Sequence, residues 1–478
     1  MTDRLSAVDA SLFYLDDGTA PQHVAGLSVF ARPRSGFDYE ALVRLVEHRI
    51  ALVPRYRQKV REVPARLARP VWVDDADFDI TYHVRRSALP KPGSDAQLHD
   101  LVARLVSRQL DRTRPLWEMY LVEGLARGRF AIITKTHEAM VDGVSALEIG
   151  QVILDVTAKP RHTREELWMP APGPGSMQLL TDAALEAVTS PGEAVDAVRW
   201  ATRDATRTAE KAVDLVGGAL GMVGLALRTA TRPAPTSPLN ARISRQRRFA
   251  VARTRLDDYR AVRERHGGTV NDVVLAVVAG AMRGWLLSRG ESVTAATTVR
   301  AMAPMSVTSE AGASSRAPGT APVGTPGSLV SQFLVDLPAG EPNPVVRLSQ
   351  VAHATRVHEE SGRSVGADAL VRMTGFAPPT LHAMGARVAG TLSRRAYNVL
   401  VTNVPGPQVP LYATGAKMLE MYPVVPLARN QALTIGLTSY DGGVYFGLNA
   451  DRDAMGDVDV LAALIVESLE ELVGTVRA

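Results

Sequence analysis

Apolar runs typical of strands alternate with segments of helical spacing along the first 160 residues. The run VAGLSVFAR is rich in apolar and β-branched residues, which indicates a strand. The segment YEALVRLVEHRIALV instead places Leu42, Leu45, Val46 and Ile50 on one face of a helix. Together these patterns predict a mixed α/β domain, with strands over 24–32, 117–125 and 129–137 and helices over 39–53, 97–111 and 144–156.

The middle of the chain is interrupted by proline and glycine. Residues 158–176 and 231–241 have the composition of linkers. The Ala-rich section between them contains an uncharged apolar run of 13 residues, 215–227. A run of this length is too short to span a bilayer, so we expect a buried or interfacial helix around 213–230.

The second half returns to an α/β pattern. A helix is expected over 267–290, where Thr269 and Asp272 have capping-box spacing and Gly290 ends the apolar pattern. The Ala/Gly/Pro/Ser-rich stretch 311–327 predicts a loop, and SYDGG (439–443) predicts a hairpin turn. The remaining predictions are strands over 328–338, 397–407, 430–442 and 443–453, a helix over 458–473, and a division into 1–160, a linker 161–241, and 242–478.

Composition narrows the possible chemistry. The chain of 478 residues has 46% hydrophobic and 22% charged residues, as globular proteins do. It contains no cysteine, which excludes disulfides, thiolate metal sites and cysteine nucleophiles and fits a reducing cytoplasm. No apolar run of signal-peptide type follows Met1, so we expect a cytoplasmic protein. A small excess of Lys+Arg (54) over Asp+Glu (50), with 5% aromatic residues and no nucleic-acid motif, disfavours a nucleic-acid partner.

The candidate catalytic stretch is KTHEAMVDGVSALEIG, which runs from a predicted strand through a turn into a predicted helix. His137 and Glu138 stand at the strand end, and Asp142 and Gly143 lie in the turn. Acyl transfer to an alcohol requires a base that accepts the hydroxyl proton as attack begins. Either neighbouring side chain could serve, while the Asp-Gly pair fixes the turn. Ser145 lacks a surrounding G-x-S-x-G elbow and is interpreted as a helix-face hydroxyl.

Several landmarks beside the HExxxDG stretch at 137–143 occur in the order seen in one enzyme family. They are LSAVDASLFYLDD followed by Pro21-Gln22-His23-Val24, then Pro115-Leu116-Trp117, Asn271-Asp272, and NVPGP at 403–407. With them the chain resembles the bacterial wax ester synthase/diacylglycerol acyltransferase family of actinobacterial triacylglycerol synthase type. The resemblance implies an α/β fold of two chloramphenicol acetyltransferase-like domains with a tunnel between them. It also implies acyl-CoA as co-substrate, diacylglycerol or a long-chain alcohol as acceptor, no metal or resident cofactor, and a position at the membrane or at lipid inclusions.

The chain departs from the family at the base. The family motif is HHxxxDG, in which the second histidine removes the proton, and Glu138 occupies that position here. One interpretation makes Glu138 the base, since burial can raise a carboxyl pKa into the useful range. A second uses His137, although successive strand residues point to opposite faces. A third is a catalytically weak or inactive paralogue that binds lipid or acyl-CoA. A peptide-condensation domain shares HHxxxDG, but the PLW and NVPGP landmarks disfavour it.

The remaining candidates each have a structural explanation beside the functional one. By resemblance the substrate-binding residues are Pro115, Leu116, Trp117, Asn271, Asp272, Asn403, Pro405 and Gly406. Packing, helix capping and a rigid turn explain the same residues without a ligand. Asp142 is expected to pair with an arginine, for which the candidates are Arg49, Arg55, Arg57, Arg112 and Arg114. The basic run Arg242, Arg245, Arg247 and Arg248 could contact CoA phosphates or lipid headgroups, or belong to a solvated linker.

Overall fold

A computed structural model describes residues 3–33, 36–64, 67–140, 152–160, 168–189, 234–306, 330–361 and 396–477. Several predictions fall outside these residues, namely Asp142, Gly143, most of the helix over 144–156, the apolar segment 213–230 and the loop 311–327. Everything below concerns the described residues.

The first half of the chain folds around a six-stranded sheet. Its helices are α1 (Ala7–Leu15), α2 (Tyr39–Arg49), α3 (Ile80–His83), α4 (Asp95–Val106) and α5 (Ser176–Thr189), and its strands are β1 (His23–Ala31), β2 (Gln58–Arg61), β3 (Val71–Asp74), β4 (Val84–Ala88), β5 (Trp117–Leu125) and β6 (Arg129–His137). Strands β1, β6, β5 and β4 are adjacent in the main sheet, and β2 pairs with β3 separately. Helix α4 is capped by Ser94 and buries one apolar face, including Leu98, Leu101 and Leu105.

The second half forms another six-stranded sheet of order β7-β14-β13-β10-β8-β9. Its elements are β7 (Arg247–Arg255), α6 (Leu256–His266), α7 (Val270–Ser288), β8 (Val299–Ser306), β9 (Val330–Leu337), α8 (Pro344–Ser361), β10 (Val399–Val404), β11 (Tyr412–Ala413), β12 (Ala416–Val424), β13 (Leu433–Tyr440), β14 (Gly443–Asp451) and α9 (Val458–Arg477). Helix α7 has the length and hydropathy of a membrane span, and 67% of that window is buried within the protein.

One segment of the second half belongs to the first sheet. Strands β11 and β12 extend that sheet beyond β1, and Ala25 is paired with Val424 in an antiparallel register. The predicted domain 242–478 is therefore interrupted, because 412–424 crosses to the other sheet. Two glycines make room for this crossing: a Cβ on Gly447 would lie 1.9 Å from the carbonyl oxygen of Pro423, and one on Gly436 would lie 2.8 Å from a methyl carbon of Val425.

The local predictions agree with the structure where the pattern was strong. Thr269 and Asp272 form the predicted capping box of α7, and Gly290 follows its end with φ +74°. Asp441 and Gly442 both have positive φ between β13 and β14, as the predicted hairpin turn requires. Strand β12 and helix α1 were not predicted, and the helix expected over 97–111 ends earlier, at Val106.

A buried ion pair connects α2 to the segment 152–160. The guanidinium of Arg49 donates to both carboxylate oxygens of Asp155 at 3.0 and 2.8 Å, and each side chain is 1% exposed. The backbone of Asp155 in turn exchanges two hydrogen bonds with Tyr412, just before the crossing strand. Arg49 therefore has a carboxylate partner other than the predicted Asp142.

Candidate active site

The candidate catalytic pair stands where β6 ends against β1. His137 is directly opposite His23, and Glu138 begins the 3-10 turn Glu138–Met140. The backbone N–H of Glu138 donates to the carbonyl of Gln22 at 3.0 Å, which fixes the turn against the start of β1. Because successive residues at a strand end point to opposite sides, the two side chains enter different environments.

His137 faces helix α1. Its Nδ1 accepts a hydrogen bond from the Ala139 N–H at 3.0 Å, and its ring packs against Phe13. Its Nε2 lies 3.6 Å from Oδ2 of Asp16, which is longer than a hydrogen bond, and no described residue gives Nε2 a closer partner. The side chain is 1% exposed. Both ring nitrogens are therefore directed into the protein.

Asp16 joins this histidine to an arginine. Arg112 donates to Oδ2 of Asp16 at 3.2 Å and to the carbonyls of Phe13 and Asp16. Burial alone would raise the pKa of Asp16, but His137, Arg112 and Gln109 outweigh it and hold this pKa far below its ordinary value. Asp16 is thus a buried anion, and sequence reasoning missed it because its partners are remote in the chain.

Glu138 faces a different space. Glu138 keeps part of its surface accessible, while protein atoms lie close enough to its carboxyl to desolvate it. No described residue gives its carboxylate a hydrogen bond or an ion pair. Burial raises the pKa of Glu138 from 4.5 to about 7. A carboxyl without a partner and with this pKa can exchange a proton near neutral pH.

One residue of the second half is affected by the charge of Glu138. The hydroxyl of Tyr397, just before β10, has its pKa raised to about 12, first by burial, while Gln431 opposes the rise and the charge of Glu138 adds to it. No sequence signal pointed to Tyr397, since it is an isolated tyrosine at the start of a predicted strand.

Two predicted substrate-binding residues meet in the second half. Nδ2 of Asn403 donates to Oδ1 of Asn271 at 3.2 Å, linking β10 to the start of α7. Asp272 is buried, closes the α7 capping box and accepts from Thr355 at 2.6 Å, so its carboxylate is fully used in the fold. Gly406, after Pro405, packs so tightly that a Cβ would lie 2.2 Å from the carbonyl oxygen of Ser439.

The PLW segment belongs to the core. Leu116 and Trp117 are 0% exposed, and the Trp117 indole N–H donates to the Tyr56 carbonyl at 2.8 Å. Its ring stacks on His83 at 4.6 Å, while the Pro115 carbonyl accepts from the Trp117 N–H. Leu116 and Trp117 therefore have no exposed atom for the predicted substrate contact, and packing of β5 explains them.

Some arginines of the basic run form ion pairs within the fold, and another lines a cavity. Arg247 is buried beside Asp451, and Arg248 pairs with Asp459, so these two serve the fold. Arg245 instead lines a cavity of about 420 Å³, together with Gly18, Arg104, Ser107, Arg108, Gln109 and Gln246. Among the described residues there is no group of three His, Asp or Glu side chains that could hold a metal ion.

Two models of one enzyme family match the chain. The family models described as "Wax ester synthase/diacylglycerol acyltransferase catalytic domain" and "WS/DGAT C-terminal domain" match residues 5–274 and 327–473. The Mycobacterium tuberculosis protein named "Probable diacyglycerol O-acyltransferase tgs3" is 52% identical over 266 residues, which cover 56% of this chain and 97% of that protein. Another from the same species, "Probable diacyglycerol O-acyltransferase tgs1", is 31% identical over 98% of this chain and 96% of its own length.

Solved structures show the same architecture. The "Wax ester synthase/diacylglycerol acyltransferase from Marinobacter aquaeolei VT8" superposes with a TM-score of 0.68 at 26% identity, covering 99% of this chain and 100% of that one. The "First condensation domain of the calcium-dependent antibiotic synthetase" gives 0.56 at 14% identity, over 100% of this chain and 97% of that one, which shows a shared fold alone. The expected two-domain chloramphenicol acetyltransferase-like fold is confirmed.

Proposed function

Since this chain belongs to the wax ester synthase/diacylglycerol acyltransferase family, we propose that it transfers a long acyl chain from acyl-CoA to a lipid hydroxyl, with Glu138 as the general base. The acceptor is diacylglycerol or a long-chain alcohol, as the names of the relatives suggest. A lipid acceptor also implies contact with a membrane or lipid inclusion, which stays a prediction.

The single observation that carries the assignment of the base is the environment of Glu138. Its carboxylate has no hydrogen-bond or ion-pair partner among the described residues, and burial raises its pKa to about 7. Near neutral pH a large fraction of the group is therefore ionised and able to accept a proton, while a carboxyl of ordinary pKa would be a weaker base. Glu138 thus combines availability with a suitable proton affinity.

The geometry favours Glu138 over His137. The Nδ1 atom of His137 is engaged by the Ala139 N–H, and its Nε2 points toward Asp16 beneath α1. Using His137 as the base would require the ring to leave a position that is 1% exposed. We assign His137 a positioning role instead: its contact with Ala139 shapes the turn that begins at Glu138.

One base is sufficient to move the proton from the acceptor hydroxyl to the leaving thiolate. Glu138 accepts the proton of the acceptor hydroxyl as the oxygen forms a bond to the thioester carbonyl carbon. The tetrahedral intermediate then collapses and the carbon–sulfur bond breaks. The protonated Glu138 returns the proton to the leaving thiolate of CoA, which regenerates the carboxylate. No covalent acyl-enzyme is required, because both substrates reach the same carboxylate.

The test measures acyl transfer from labelled palmitoyl-CoA to diacylglycerol or hexadecanol by the full chain. Glu138→Gln keeps the shape and removes the base, so we expect kcat to fall about 10²–10⁴-fold, the contribution typical of a general base. The matched control is Glu467→Gln, an exposed glutamate on α9, which should retain parental activity. Circular dichroism establishes that each variant is folded.

Two outcomes contradict the proposal in different ways. Unchanged activity of folded Glu138→Gln excludes this carboxylate as the base. An inactive parent that becomes active through Glu138→His identifies a natural protein that binds its lipid or acyl-CoA and does not transfer the acyl group.

A further inference from the structure

The cavity beside the candidate site is built from both halves of the protein. Gly18 follows α1, residues 104–109 form the end of α4 and the turn beyond it, and Arg245 and Gln246 precede β7. Its volume is about 420 Å³, and every side chain that lines it is polar. Polar and charged side chains around a cavity are suited to orient a polar or charged ligand.

The charge of this cavity is positive and uncompensated. Arg104, Arg108 and Arg245 line it, and its lining includes no acidic residue. Within the described part of the chain none of these three guanidinium groups forms an ion pair or a hydrogen bond. All three residues are exposed, whereas many other arginines of the protein, such as Arg49, Arg248 and Arg300, are paired with a carboxylate. Three free guanidinium groups around one cavity are suited to bind an anion.

Buried side chains hold the backbone that carries two of these arginines. The Ser107 hydroxyl donates to the Ala103 carbonyl at 2.6 Å, and Nε2 of His23 donates to the Val106 carbonyl at 2.8 Å. Nζ of Lys135, which is 1% exposed, donates to the carbonyl of Arg108 at 2.5 Å. The turn after α4 is therefore fixed from inside the protein before any ligand arrives.

The same contacts reduce the repulsion between the C-terminus of α4 and a bound anion. The C-terminus of a helix carries partial negative charge, which would repel an anion at the end of α4. His23 and Lys135 donate hydrogen bonds to carbonyl oxygens at this helix end from the interior of the protein, and Lys135 adds a positive charge. Burial lowers the pKa of Lys135 to about 8 against the opposing effect of Glu118, so the amine is mostly protonated at pH 7.

The cavity is close to the proposed base. Nε2 of Gln109, in the cavity wall, donates to Oδ1 of Asp16 at 3.3 Å, and the other oxygen of Asp16 lies 3.6 Å from His137. Glu138 is the next residue in the chain. Asp16 and His137 therefore connect the cavity wall to the strand end that precedes Glu138.

We propose that this cavity binds the phosphate groups at the nucleotide end of the acyl-CoA donor. The inference rests on the proposed function, since it assigns the donor's anionic end to a place near Glu138. CoA carries a diphosphate and a ribose phosphate, and arginine forks bind phosphate oxygens bidentately. A phospholipid headgroup offers similar chemistry, but it would bring acyl chains to a rim that has no apolar lining residue.

The direct test is binding of 3′-phosphoadenosine 5′-diphosphate to the full chain by isothermal titration calorimetry. Arg104→Ala, Arg108→Ala and Arg245→Ala should each weaken binding about tenfold, the value of one charge-assisted hydrogen bond, and the affinity should fall with added salt. Arg263→Ala, an exposed arginine that does not line the cavity, is the control and should leave the affinity unchanged. Unaltered binding in all three cavity variants would overturn the proposal.

A vesicle-binding experiment distinguishes recognition of the nucleotide from recognition of a lipid headgroup. If the variants lose binding to phosphatidylglycerol vesicles but keep their affinity for the nucleotide, the cavity recognises a headgroup and the proposal is wrong. We expect the reverse pattern, because the cavity is concave and lacks apolar lining residues.

Steady-state kinetics with two acyl donors tests whether the cavity contributes to acyl transfer. The cavity variants should raise KM for palmitoyl-CoA about tenfold while kcat is kept, and should leave KM for S-palmitoyl-N-acetylcysteamine unchanged, because that thioester has no phosphate. Equal effects on both donors would refute phosphate recognition. If the parent transfers from neither donor, the proposed function fails, yet the calorimetric arm still decides whether the cavity binds the nucleotide.

Discussion

Replacing Glu138 by glutamine should stabilise the protein while it removes the proposed base. The reason lies in the raised pKa of Glu138, which is 4.5 in an ordinary glutamate and about 7 in the folded protein. A carboxyl that holds its proton more tightly in the folded state opposes folding once the unfolded chain is ionised. Glutamine has nearly the same shape and never ionises, so it avoids this cost.

The sign and size follow from the two pKa values. Below pH 4 the carboxyl is protonated in both states and Glu138 costs nothing. Between pH 4.5 and about 7 the unfolded chain releases a proton that the folded protein keeps, so the free energy of unfolding falls as the pH rises. Above about pH 7.5 the cost is constant. The difference between 4.5 and about 7, at 1.36 kcal/mol per pKa unit, gives about 3 kcal/mol.

The assay compares unfolding midpoints of the parent and Glu138→Gln from pH 4.5 to pH 8. We expect the advantage of the glutamine variant to grow through this range and to level off above about pH 7.5. Glu467→Gln controls for the loss of one carboxylate at an exposed position. A constant difference between parent and Glu138→Gln across the whole range would refute the reasoning, because it would mean that burial does not perturb this carboxyl.

Three further predictions concern the site and the fold. The value of kcat/KM should rise with pH up to about 7 and then level off if ionised Glu138 is the base, so a flat pH–rate profile between pH 5.5 and 8 would contradict it. Arg49→Met removes the cation paired with buried Asp155 and should cost about 3–5 kcal/mol in urea unfolding, much of it recovered by adding Asp155→Leu. Gly447→Ala should destabilise the protein by at least about 1–3 kcal/mol, because the added Cβ would lie 1.9 Å from a backbone oxygen of β12. Gly474→Ala in α9 is the control: its Cβ meets no atom within 4 Å, so this variant should be neutral or stabilising. Differential scanning fluorimetry measures both variants.

Local signals predicted the elements that depend on neighbouring residues. The α7 capping box of Thr269 and Asp272 and the hairpin turn at Asp441-Gly442 are encoded within a few positions, and the structure confirms both. The strand end at His137 is likewise confirmed, and it follows a run of eight strand residues that is rich in apolar side chains. Short-range patterns were sufficient here, since hydrogen bonds between near neighbours determine these features.

Long-range partners could not be predicted in this way. The contact between Asp16 and His137 joins residues far apart in sequence, and the local sequence around either residue does not predict it. The same holds for β12, whose partner β1 is chosen by packing against both sheets. The arginine cavity also depends on assembly, since Arg245 meets Arg104 and Arg108 only after the two halves join. The sequence therefore indicated the base position, while its supporting residues required the fold.

The crossing strand has a consequence for how the protein is made. Once β6 has left the ribosome, the ribosome must translate a further 287 residues, from His137 to Val424, before β12 can cover the edge of β1. At about 5–20 residues per second this takes roughly 15–60 s. During that interval β1 offers an unpaired strand edge to other nascent chains. Growth conditions that slow chain encounters or supply holding chaperones should therefore raise the soluble yield, and fragments that end before residue 412 should aggregate.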